Sequence, residues 1–286
     1  GKVVKAIAVI SPGNPTGQVL SYANMAEIVK FCAREGVVLL ADEVYQINIY
    51  HAGIDFVSFK KVAMDLLNDP AHGGLIADGL ELASFHTASK GVSGECGIRG
   101  GYFELFGFDP AIKAQMLKLA SITLCPNTPG QIATAIMVNP PQDDGPSAVA
   151  HFSQVNETLA SLGRRGAKIA AALNTLEGVS CNPPAGAMYA FPQVKLPAAA
   201  VAAAEAAAIQ PDVFYCMELL RETGIVTAAG SGFGQRDGTW HFRTTFLPPE
   251  HQVDTFTAKI ADFHNGFLQR YGGGGGGGSR VSTGEL

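Results

Sequence analysis

Two patterns of apolar residues alternate along the first half of the chain. Residues 3–10 and 37–41 are nearly unbroken apolar runs, the pattern of strands buried on both faces. Between them, residues 22–35 place Met25, Ile28, Val29 and Cys32 on one face of a helical projection. Ser21 is suited to cap that helix, Arg34 sits in its last turn, and Gly36 is a natural stop. Residues 80–85 and 101–106 predict a third and a fourth strand. Helices follow from Asp109-Pro110 to about residue 122 and over 130–138, then a loop over 139–146. A long helical pattern over 147–176 leads into a second region. There, short strands are predicted at 179–181, 188–191, 225–228 and 240–246, with an alanine-rich stretch and helices at 213–223 and 249–271. In residues 240–246, Trp240, Phe242 and Thr244 share one face, and His241 and Arg243 the other.

Strand–helix alternation predicts an α/β fold with an open, mostly parallel sheet. The limits expected are a large domain over residues 1–150, a smaller one over 151–271, and a glycine-rich tail over 272–286. In such sheets, polar chemistry gathers just beyond the C-terminal strand ends. Asn14, Asp42 and Lys90 each occupy that place, after three different strands.

Composition narrows the possibilities. Hydrophobic content of 47% and charged content of 16% over 286 residues describe a chain able to bury a core. A net charge of −5 without basic clusters argues against nucleic acid and anionic membrane as partners. There is no apolar run of membrane-spanning length and no signal peptide, so cytoplasm is the default compartment, with mitochondria and peroxisomes open. The five cysteines are odd in number and scattered, and the seven histidines lack metal spacing, so reduced thiols and no metal site are expected. The chain enters a strand-like run directly after Gly1-Lys2, which predicts a missing N-terminal part.

Some residues carry candidate chemistry. Lys90 stands in Ser84-Phe-His-Thr-Ala-Ser-Lys-Gly91, at a strand end among small polar residues. A lone lysine there is usually a solvated loop residue. The glycine-dense Gly94-Glu-Cys-Gly-Ile-Arg-Gly-Gly101 beside it changes the reading, because such a loop suits close approach of backbone to a phosphate. Arg99 would add a bidentate cation, and Thr87 and Ser89 hydroxyls. Asp42 follows apolar residues and calls for a cationic partner, although a cap or a local ion pair would also satisfy it. Tyr45 and Asn14 are donors near the same strand ends, and each is equally suited to packing or a turn. Arg243, alone, reads as a solvated strand face. Gly230-Ser-Gly-Phe-Gly-Gln235 lacks the strand–helix context of a nucleotide loop, and Asn156-Glu-Thr158 has the form of a glycosylation sequon without a secretory signal.

Together, Ser11-Pro-Gly-Asn-Pro-Thr-Gly17, Ala41-Asp-Glu-Val-Tyr45, Thr87-Ala-Ser-Lys90, Gly94-Glu-Cys-Gly-Ile-Arg99 and His241-Phe-Arg243 resemble the fold-type-I aminotransferases, in particular the alanine aminotransferase group. Gly186-Ala-Met-Tyr-Ala-Phe-Pro192, Pro211-Asp-Val-Phe-Tyr-Cys216 and Gly230-Ser-Gly-Phe-Gly-Gln235 extend the resemblance, which runs from about residue 7 to 268. It implies the aspartate aminotransferase-like fold, with helices on both faces of the large sheet and a smaller C-terminal α/β domain. It implies pyridoxal 5'-phosphate held by Lys90 as a Schiff base, Asp42 on the pyridine nitrogen, and Tyr45 and Asn14 on the ring oxygen. Arg99, Thr87 and Ser89 would hold the phosphate, and Arg243 the substrate α-carboxylate. The implied reaction is a ping-pong exchange, L-alanine plus 2-oxoglutarate giving pyruvate plus L-glutamate, in a homodimer. Glutamate:glyoxylate aminotransferases share these motifs, and a fragment with an incomplete site is a third possibility. Ala229 departs from the proline usual before Gly-Ser-Gly, and Thr87 stands where many relatives have serine.

Overall fold

The apolar runs become strands whose ends fall within three residues of their sequence limits. The structure, a computed structural model, describes residues 1–142 and 145–273. The chain divides into two compact units, Gly1–Arg164 with Pro184–Tyr189, and Arg165–Pro183 with Ala190 onward.

The first unit opens with β1 (Ala6–Ile10), α1 (Tyr22–Glu35) and β2 (Val38–Asp42). β1 is shorter than the run 3–10 predicts, because residues 1–5 lie exposed outside the pairing. α1 begins where Ser21 accepts a hydrogen bond from the Asn24 amide at 3.2 Å, and it stops at Gly36 in the left-handed region (φ 61°). Two helices that the periodicity does not mark, α2 (Phe59–Leu67) and α3 (Gly73–Gly79), precede β3 (Leu82–Thr87) and β4 (Gly101–Phe106). They are too short for a strong helical signature, and tertiary packing holds them.

The sheet order is β1-β2-β3-β4; the first three strands are parallel and β4 returns antiparallel to β3. Met25, Val29 and Cys32 of α1 join Leu39, Phe59, Val62, Ile76 and Leu82 in one core. Each fully buried aliphatic or aromatic side chain there contributes about 1.5–3 kcal/mol relative to exposure. Both β2 and β3 run one or two residues further than their apolar stretches, so Asp42 and Thr87 close their strands rather than follow them. α4 (Pro110–Ile122) and α5 (Thr128–Val138) come next, α4 with no buried residue. The long helix α6 (Pro146–Leu173) carries the chain from one unit to the other.

The second sheet is built from β5 (Val179–Ser180), β6 (Tyr189–Ala190) and β7 (Gln193–Val194). The alanine-rich stretch forms α7 (Ala198–Ala206), followed by α8 (Pro211–Thr223), β8 (Ala228–Ala229), β9 (Trp240–Thr245) and α9 (Val253–Tyr271). The strand order is β5-β7-β9-β6, with β8 paired to β9. Gln193–Val194 is too short to stand out in sequence, and β8 is shorter than the stretch 225–228 and begins only at its last residue. The core here is aromatic: Tyr215 packs on Phe242, Phe263 and Phe267. His264 Nε2 donates to the Glu177 carbonyl at 2.8 Å, so its Nδ1 accepts from the Tyr215 hydroxyl at 2.9 Å. Burial holds this imidazole below its ordinary pKa, in keeping with a neutral ring.

The five cysteines are free; Cys32, Cys181 and Cys216 are buried, and Cys96 and Cys125 exposed. No helix among the described residues is long and apolar enough to cross a membrane. The tail from residue 274 and residues 143–144 of the predicted loop lie outside the described residues.

Candidate active site

Three parallel strands deliver polar side chains to one end of the first sheet. Asp42 closes β2, with Ile10 and Phe85 as its neighbours in register. Its Oδ1 accepts from the Val44 amide at 3.2 Å, which turns the chain sharply off the strand. The next residue, Glu43, points into the protein and is 6% exposed. Glu43 Oε1 accepts from the Phe59 amide, at the start of α2, at 2.7 Å. Burial, with smaller contributions from Asp42 and Glu104, pushes the Glu43 carboxyl up to about 7.

The segment from β3 to β4 is a tight return. Thr87 pairs with Gly101, and Thr87 Oγ1 donates to the Gly100 carbonyl at 2.7 Å. The Ser89 amide donates to Thr87 Oγ1 at 3.1 Å, and the two hydroxyl oxygens lie 3.0 Å apart. Arg99 adopts a left-handed conformation (φ 59°), and its guanidinium donates to the Cys96 carbonyl at 3.0 Å. Two glycines of this loop serve a different purpose from the close approach to phosphate that the sequence suggests. A Cβ on Gly100 would strike the Gly130 carbonyl and Thr134, and one on Gly101 the backbone of β3. They let the protein's own backbones pack closely.

Asp42, His86, Thr87, Ser89 and Arg99 line one cleft of about 490 Å³, walled by Leu40, Phe85 and Tyr102. An anion stands at one strand end, and hydroxyls and a guanidinium at the next. Lys90 lines an adjoining cavity of about 370 Å³, with Gln46, Ile47 and His151. His86 borders both. It is buried, edge-on to Tyr102, and its Nδ1 has no hydrogen-bond partner. Burial lowers its pKa. The orphaned nitrogen, the carboxylate and the hydroxyl–guanidinium group form a donor and acceptor set that fits a phosphorylated pyridine. His86, Gln46 and Tyr102 are lining residues that the motifs did not single out. A histidine within a strand, four residues before the lysine, was the available signal.

Tyr45 and Asn14 sit apart from the walls of both cavities. Tyr45 is buried, its hydroxyl 2.7 Å from that of Tyr189 and the rings edge to face. Asn14 is half-buried in the loop after β1. Arg243 belongs to the second unit, on β9, with Phe242 and Thr244 buried on the opposite face as the alternation predicts. Its guanidinium carbon lies 5.1 Å from the centroid of the Phe233 ring.

Comparison with known proteins points in the same direction. The family described as aminotransferase class I and II matches residues 1–260. A probable mitochondrial alanine aminotransferase of Dictyostelium discoideum is 53% identical over 268 residues, 93% of this chain and 49% of that protein. Mitochondrial alanine aminotransferase 1 of Arabidopsis thaliana is 48% identical, over 95% of this chain and 49% of that one. Human alanine aminotransferase 1 is 46% identical, over 93% and 53%. Among solved structures, an alanine aminotransferase from Pyrococcus furiosus superposes with a TM-score of 0.71 at 26% identity, over 92% of this chain and 58% of that chain. An aspartate aminotransferase from Thermotoga maritima shares the fold, with a TM-score of 0.67 at 22% identity over 91% of this chain and 56% of that one. The chain spans about half the length of the curated relatives it matches.

Proposed function

The chain belongs to the class I and II aminotransferase family, and from that premise we propose that it carries the cofactor-binding and carboxylate-binding residues of an alanine aminotransferase. The exchange would be L-alanine plus 2-oxoglutarate for pyruvate plus L-glutamate, in two half-reactions at one site. One observation carries the reading: the Asp42 carboxylate and the Ser89–Arg99 donors converge on a single cleft, with Lys90 on the cavity that shares the His86 wall.

Pyridoxal phosphate, which the family uses, supplies when bound an aldehyde and an electron-withdrawing pyridinium ring. Asp42 is placed to keep the ring nitrogen protonated, since a carboxylate beside a cation stabilises the charged form. Ser89 and Arg99 take the phosphate, Arg99 with a fork of donors suited to two oxygens. The Thr87 hydroxyl, whose proton lies on the Gly100 carbonyl, braces the turn that aims Ser89. Lys90 Nζ would hold the cofactor through its aldehyde and, as a free amine, would take the proton from the substrate Cα. The family resemblance would assign Tyr45 and Asn14 to the ring oxygen, although neither lines the two cavities, and the Tyr45 hydroxyl is held by Tyr189. Arg243 binds the α-carboxylate. Since the relatives are about twice as long, a second copy of the chain or further segments would complete the site, and a homodimer is the assembly we propose. Two of the relatives carry mitochondrial names, and mitochondria join the cytoplasm as a proposed location.

Borohydride trapping after incubation with pyridoxal phosphate tests the assignment. Peptide mapping should find the reduced adduct concentrated on Lys90, with exposed lysines labelled only in proportion to concentration. Asp42→Ala or Arg99→Ala should abolish the preference. Labelling spread evenly over the lysines of the parent chain would overturn the site. Half-reactions with pyruvate and glyoxylate then test the substrate; preference for glyoxylate would replace alanine chemistry with that of the glyoxylate enzymes.

A further inference from the structure

The second unit contains a buried carboxylate for which the proposed reaction has no use. Asp212, in the first turn of α8, is 1% exposed. A carboxylate so far from water has to be matched by donors. One is local: the Val213 amide, at 2.9 Å from Oδ1. The other two come from the turn between β8 and β9. The Ser231 amide lies 2.5 Å from Oδ2, and Gln235 Nε2 lies 2.9 Å from the same oxygen.

Those bonds orient the groups packed beyond them. With its amide nitrogen on Asp212, Gln235 turns Oε1 toward His241 Nδ1 at 3.0 Å, so that nitrogen carries the proton. The His241 ring stacks on Phe191 with centroids 4.9 Å apart and planes 8° apart. Phe191 meets Phe233 edge to face at 5.8 Å, and Arg243 rests over Phe233. Gly230 is required at the start of the turn, because a Cβ there would collide with Gln235 and His241. Two routes thus lead from Asp212 to the ring under Arg243. One is the backbone of the turn Gly230–Phe233; the other runs through Gln235, His241 and Phe191.

We propose that Asp212 is a positioning residue for Arg243: it fastens the Gly230–Phe233 turn and so sets the Phe233 ring on which the guanidinium lies. Contact with a ring face consumes none of the guanidinium N–H donors. The significance for substrate rests on the reading of Arg243 as the carboxylate-binding residue.

NMR of the full chain tests the coupling without any ligand. The Phe233 ring current should displace the Arg243 side-chain resonances from their random-coil positions. Asp212→Ala should return them most of the way, and Phe233→Leu fully. The double variant should add nothing to Phe233→Leu, as expected for groups acting in series. Asp212→Asn keeps the side-chain volume and one acceptor, and should give an intermediate shift. If Asp212→Ala does not fold, Asp212→Asn and Gln235→Leu carry the test. Arg243 resonances unmoved in the folded Asp212 variants, or in Asp212→Asn and Gln235→Leu, would overturn the proposal. Titration with succinate separates the two ideas. In the parent it should move the Arg243 signals, with affinity falling about tenfold in Asp212→Ala. A parent indifferent to succinate would remove the carboxylate reading of Arg243, while the ring-current shift alone would still judge the role of Asp212.

Discussion

Glu43 and Asp42 are consecutive carboxylates with different surroundings. Asp42 borders the open cleft, while Glu43 is enclosed and meets the first amide of α2. Burial raises the Glu43 carboxyl from its ordinary value near 4.5 to about 7. A raised carboxyl pKa means that the folded state prefers the protonated form. Its favourable contribution is therefore complete below the unfolded value and is lost as pH rises from about 4.5 through 7. Glu43→Gln keeps the acceptor for the Phe59 amide and cannot ionise. It should match the parent in denaturant unfolding at pH 4 and exceed it by about 1–3 kcal/mol at pH 8. Equal stabilities at pH 8 would show that the carboxyl ionises there without cost. The same residue shows how motif and environment differ. Ala41-Asp-Glu-Val-Tyr45 is plain in the sequence, but which of its two acids is enclosed depends on where α2 arrives, and α2 left no clear periodic mark.

Elements differ in how far packing enforces them. β2 lies between β1 and β3, and its Leu39 is 0% exposed against the helices α1 to α3. α4 has an Asp109 cap and a proline in its first turn, yet Leu117 and Leu119 are 71% and 66% exposed. Local signals are enough to start such a helix, while its apolar residues add little to this unit. Leu39→Ala should cost about 2–5 kcal/mol, whereas Leu117→Ala should stay within about 0.5 kcal/mol. Denaturant midpoints measured for the isolated chain compare them directly; a large loss at Leu117 would mean that α4 is buried in solution by association. Elements with strong caps or long apolar patterns, such as α1 and α9, were legible in advance. β7 and β8, two residues each, were not placed correctly, because a strand that short is defined by its partner β9 and not by its own sequence.

At the scale of the molecule, each unit has its own core. Phe59 is fully buried in the first, and Phe242 is 1% exposed in the second. Hydrogen exchange should therefore show Phe59→Ala lowering protection chiefly in β1 to β3, and Phe242→Ala chiefly in β9, α8 and α9. Uniform loss across the chain in both variants would mean that the units open only together. The sequence alone was sufficient for the α/β class, the parallel strands, and the arrival of Asn14, Asp42 and Lys90 at strand ends. These follow from local periodicity and from the chirality that directs parallel strands and their crossovers. Ordered motifs were likewise sufficient for the aminotransferase resemblance, which the family match bears out. Tertiary structure alone decided that His86 stands between the cleft of Asp42 and the cavity of Lys90, that the Thr87 hydroxyl faces Gly100, and that Asp212 reaches the turn beneath Arg243. The reason is physical: periodicity reports which face of an element is buried, whereas each of these contacts joins elements whose approach is set by the packing of the whole core.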